Sequence, residues 1–130
     1  MIKSFVTDDV IYEKLHDNLK CLVLRDFDPE QDSLSDLLSS EEDKSKMVIF
    51  GTSKWSGLGR NECYFYSEKI FICIQYDQQE SIEDFTADVI KTLWDMNLDV
   101  DRVTFGSLSD EGKTSVKCSY IYVNQPHMMG

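Results

Sequence analysis

The stretch NECYFYSEKIFICIQYD, residues 61–77, constrains this chain more than any other. In an extended conformation Tyr64, Tyr66, Ile70, Ile72, Ile74 and Tyr76 line one face, while Cys63, Phe65, Phe71 and Cys73 line the other. A strand that is apolar on both faces must be covered on both. It therefore lies centrally in a covered sheet or in an interface between subunits. The run is also long, against about 5–6 residues for a usual strand. Its polar middle, Ser67-Glu68-Lys69, either breaks it or belongs to a part that projects from the body.

A helix follows directly. Ser81 suits the N-cap, with Glu83 and Asp84 in the first turn. Ile82, Phe85, Val89, Leu93 and Met96 recur at intervals of three and four, the spacing of one buried face. Asp84, Asp88, Lys91 and Asp95 fall off that stripe. These carboxylates are thus expected as an acidic surface rather than an inward-facing acid pair.

Before the long strand, MVIFGTSKW (47–55) reads as its partner, joined through the two-glycine connection SGLGR (56–60). Nearer the N-terminus, Thr7 caps a helix bearing Val10, Ile11, Leu15 and Leu19, and a short strand is possible at 21–24. A second hairpin is expected from strands at 102–109 and 113–123, turning at Asp110-Glu111-Gly112. The order α-(β)-β-β-α-β-β predicts an α+β fold. Its antiparallel sheet has four to five strands, and an N-terminal helix and one amphipathic helix pack on it. The 130 residues make a single domain, with an acidic loop at 26–46 and a flexible tail at 124–130. Residues 26–43 hold eight acids and no base, and a short helix can start after Ser33.

Charge narrows the function. With 13 basic and 24 acidic residues the net charge is −11, which disfavours a sequence-reading DNA binder. A basic protein partner, a DNA mimic, or a wall past which DNA slides all remain open. Cys21, Cys63, Cys73 and Cys118 form no CxxC pair and no zinc spacing, so free thiols are expected. The start MIKSFVTDDV turns acidic within eight residues, so no signal peptide is expected. No apolar run approaches the roughly 20 residues that span a bilayer, and no membrane partner is expected.

Catalytic templates are weak. His16 reads as a helix-surface residue beside Asp17, and His127 lies in the expected tail. Asp99 and Asp101 alternate in a short loop, too few oxygens for a hard cation. GTSKWSGLGR (51–60) lacks the order of a phosphate-binding loop. The expectation is no catalytic, cofactor or metal residues, and no enzyme. Lys54 and Arg60 form the most basic spot, and Trp55 is either a core anchor or an exposed contact.

Residues 47–123 resemble bacteriophage tail terminator proteins, also called tail completion or head–tail joining proteins. The features that carry this are MVIFGTSKW leading into a long strand ending IFICIQYDQ, the helix SIEDFTADVIKTLWDM directly after it, and the closing strands VTFGSLSDEGKTSVKCSYIYV. The resemblance implies a hexameric ring without catalysis. That ring caps the tail tube and faces the head connector, so its partners are other copies, the tube protein, the connector protein and passing DNA. Lys54, Trp55, Arg60, Tyr64 and Tyr66 are the candidate subunit interface, and Asp84, Asp88 and Asp95 the candidate acidic surface. The alternative is a small acidic inhibitor or DNA mimic that blocks a basic partner.

Overall fold

The computed structural model describes residues 6–27, 46–51, 53–57, 59, 64–75, 81–109 and 115–128. The elements in chain order are α1 (Asp8–Leu19), β1 (Leu22–Leu24), β2 (Lys46–Phe50), β3 (Lys54–Ser56), β4 (Tyr64–Gln75), α2 (Ile82–Asp95), β5 (Val100–Ser109) and β6 (Ser115–Met128). The strands form one sheet in the order β1-β2-β4-β6-β5, with β3 added beside β4. Among the described residues only β1 and β2 run parallel; every other described pair is antiparallel. The fold is α+β, as the periodicities predict.

Both helices begin where their caps dictate. Thr7 accepts from the Val10 N–H, and Ser81 from the Asp84 N–H. Ser81 Oγ also donates to Glu83 Oε2 at 2.7 Å, and that bond holds the Glu83 carboxyl below its ordinary range. The helices share one apolar cluster with the odd-numbered positions of β4. Ile11 and Leu15 of α1 meet Phe85, Val89 and Leu93 of α2 over Val48, Phe50, Phe71, Cys73 and Ile121. The opposite face of the sheet holds a second cluster of Met47, Ile49, Ile72, Ile74, Val116 and Cys118 with Phe27. This is why β4 is apolar on both faces: it pairs β2 and β6 on its two edges and meets a core above and below.

Three details differ from the expected layout. The sheet has six strands because the segment 47–55 is two strands, broken at Gly51. A Cβ on Gly51 would fall 1.5 Å from the Phe27 carbonyl oxygen, so the chain at 27 crosses where a side chain would stand. The polar trio Ser67-Glu68-Lys69 does not interrupt β4. Residues 124–128, expected as part of a flexible tail, continue β6 as far as Met128, opposite Tyr64. Pro126 had hidden this, since proline rarely sits inside a sheet. Beyond Val123, however, β6 pairs with β4 alone, and Pro126 needs no partner on its other side. The acidic residues 28–45, the helix expected after Ser33, and the turn at 110–112 lie outside the described residues. No helix among the described residues is long and apolar enough to cross a membrane.

Candidate functional site

Two regions carry chemistry that the core does not explain. The first is buried. Alternation places Phe65, Ser67 and Lys69 of β4 on the helix side, beside Gln125 and His127 of β6. Lys69 Nζ donates to Asp8 Oδ1 and to the Gly51 carbonyl, each at 2.7 Å, and lies over the Phe50 ring. Ser67 Oγ and His127 Nε2 are 2.6 Å apart, and the imidazole stacks on Phe65 with centroids 5.0 Å apart. Gln125 Nε2 donates to the Asn97 carbonyl just past α2.

These side chains line a cavity of about 20 Å³ together with Val6, Ile11, Ser53, Leu98 and Val123, room for roughly one water molecule. A Ser–His contact is the geometry of an activated nucleophile. Here it stands in a space too small for any substrate, and His127 is 3% exposed. The contact works as a tie between β4 and β6.

His127 is therefore a strand residue in the sheet, where the sequence placed it in a tail. Its side-chain direction follows from the alternation Ile121, Val123, Gln125, His127, which is legible once Pro126 is allowed into the strand. The thiols of the described cysteines, Cys21, Cys73 and Cys118, offer no nucleophile either. Burial pushes Cys21 up to about 11 and Cys73 up to about 12, and raises Cys118. Among the described residues, no three His, Cys, Asp or Glu side chains converge as metal ligands would.

The second region is exposed. β4 and β6 pair from Tyr64↔Met128 to Gln75↔Lys117, a ribbon of about 41 Å at 3.4 Å per residue. The 14 residues of α2 span only about 21 Å. At the far end of the ribbon β3 pairs with Tyr66–Glu68, and the helix-side residues Phe65, Ser67, Gln125 and His127 there are buried. Trp55 is 46% exposed and Tyr66 37%. The Trp55 ring also lies 4.8 Å from the buried Phe65 ring, so it anchors β3 while presenting a face to solvent. Lys54 is exposed and stands opposite Glu68. The strand thus brings Lys54, Trp55 and Tyr66 to one end of the sheet. Tyr64 begins β4 at that same end, and Arg60 lies outside the described residues.

Asp84, Asp88 and Asp95 are all exposed, within one narrow sector of α2 beside its buried stripe. His16 is exposed beside Asp17, their closest atoms 3.6 Å apart. Sequence reasoning missed a further exposed pair, Trp94 at 59% and Phe105 at 53%. Neither belongs to an obvious apolar stripe, and only the packing of α2 against the sheet places them. No family model matches the chain, and no curated protein matches it either.

Proposed function

We propose that this chain is a structural subunit of a phage tail, a terminator-like protein that forms a ring, caps the tail tube and joins it to the head connector. The observation that carries this reading is the pair Trp55 and Tyr66, exposed where β3, β4 and β6 meet at one end of the sheet. Exposed aromatic side chains at a strand end fit a surface that a partner covers. The row Asp84, Asp88 and Asp95 supports a lumen past which DNA moves, because fixed negative charge repels phosphates. The buried Ser67–His127 contact, beside a cavity of one water, favours a structural over a catalytic role. In this reading the protein acts in the virion, at the neck.

The test is imaging of purified protein mixed with tail tubes. A sixfold ring at one tube end, containing this chain, is the expected result. The same carboxylate row also fits a second reading, an acidic inhibitor docked on a basic enzyme. A stable one-to-one complex with such an enzyme, with bare tube ends, would replace the first reading by the second.

A further inference from the structure

Among the described residues the strand order β1-β2-β4-β6-β5 ends in two free edges, and they differ; the short β3, which pairs with β4 alone, lies off that path. β5 has ten residues and pairs with β6 alone; β1 has three and pairs with β2 alone. After an irregularity between Val100 and Arg102, β5 continues in unbroken register to Ser109. From Val103 to Ser109 it carries no proline and no charged residue, the usual devices that keep edges from pairing. Its outward N–H and C=O groups are a ready template for another strand.

Apolar surface adjoins that edge. Phe105 stands opposite Ser119, whose Oγ meets Thr86 Oγ1 of α2 at 2.7 Å. Phe105 therefore points to the helix side, one strand beyond the footprint of α2. Thr86, Ile90 and Trp94 follow at intervals of four, each step turning about 40°, so the row runs from the buried Thr86 at β6 outward to the exposed Trp94. Phe105 and Trp94 thus lie about 12 Å apart along the axis of α2, at the two ends of one strip on the helix side.

We infer that this edge and strip form a subunit interface whose occupant is the β1 edge of a second copy. The inference rests on the ring reading above. β1 runs parallel to β2, and three antiparallel steps lead from β2 to β5, so the two free edges run in opposite directions. A second copy placed head to tail continues the sheet with β1 antiparallel to β5. The faces match as well, since Val23 of β1 points into the helix-side core, the side on which Phe105 lies.

On that side the β1 edge offers Tyr12, stacked on His16 and covered by the Arg25 guanidinium at 5.8 Å. Aromatic and cationic groups suit the rings of Trp94 and Phe105. Joining unlike edges is a heterologous contact, the kind that closes into rings; joining two β5 edges would stop at a dimer.

The experiment places a benzoylphenylalanine photocrosslinker at Ser107 of the full chain, irradiates it with tail tubes present, and maps the attached peptides. Across four strand spacings β1 lies about 19 Å from β5 in the same copy, beyond the reach of the side chain. Attachment within residues 20–25 therefore reports a neighbour, and it is the expected result. The variant Thr104→Lys/Phe105→Lys, at two exposed positions, should keep the circular dichroism of the parent. Added to the crosslinker chain, it should lower that product at least tenfold. Rings at tube ends with crosslinks elsewhere, or with β5 joined to β5, overturn the edge assignment and leave the ring standing. No rings and no crosslinked multimers overturn both.

Discussion

Lys69 is the residue whose removal should be felt furthest. It joins the first turn of α1, through Asp8, to the carbonyl at which β2 ends, and it does so from the middle of β4. Lys69→Ala should lower stability by about 1–3 kcal/mol, because a buried acceptor and a half-buried carboxylate lose a charged donor. Lys69→Met, which keeps most of the stem, should recover part of that loss; denaturant unfolding of both variants measures it. Cys73 gives a pH signature. Burial holds its pKa at about 12, so the folded state keeps a proton that the unfolded chain releases near its ordinary value of 9.0. Its contribution to stability is complete below pH 9 and is lost as pH rises towards 12. Melting temperature should fall across that window, and Cys73→Ala should flatten the fall. At pH 8 the buried thiol should react with iodoacetamide at least a hundredfold more slowly than a free thiol, since its thiolate fraction is about a thousandfold lower.

At the scale of elements, α2 fastens the helix layer to the sheet. Phe85 is 4% exposed in the cluster with Phe71 and Cys73, and the Lys46 ammonium lies 5.4 Å from its ring centroid. Phe85→Ala should cost about 3–5 kcal/mol in denaturant unfolding. Periodicity makes this helix legible, because its buried stripe repeats at one spacing over four turns and its cap is a serine. The two faces of β4 are legible for the same reason. Legibility fails where the cause is distant in the chain. Gly51 ends β2 because the chain at Phe27 crosses there, and no local pattern encodes that approach. Ser67 and Lys69 read as a break in an apolar strand because their partners, His127 and Asp8, lie about sixty residues away. Of the exposed aromatics, Trp55 and Tyr66 stand out in a short polar neighbourhood. Trp94 and Phe105 are ordinary positions until the packing of α2 leaves them uncovered.

At the scale of the molecule, charge and fold separate. Asp84, Asp88 and Asp95 lie on solvent with no core contact. Asp84→Lys/Asp88→Lys should therefore change the unfolding free energy by no more than about 0.5 kcal/mol, as surface substitutions usually do. It moves the net charge from −11 to −7, four units for two reversals. If these positions line a channel, particles carrying the variant should retain or delay their DNA, which ejection assays measure. If they dock on a basic enzyme, the variant should lose that complex and leave DNA movement unchanged.

The position of β6 in the sheet has a consequence for how the protein is made. β6 is the last of the described strands in chain order, yet it lies between β4 and β5. Until it leaves the ribosome, β4 has one long edge bare, and β5 has no neighbour in the sheet. The nascent chain therefore holds β4 half-paired while residues 76–114 are made, the state in which strands join the wrong partner. The described sheet closes by inserting β6 between two strands made before it. The yield of soluble protein then depends on how quickly residues 115–128 arrive. A chain that closes its sheet this way gains from chaperones that shield a strand edge rather than a pocket.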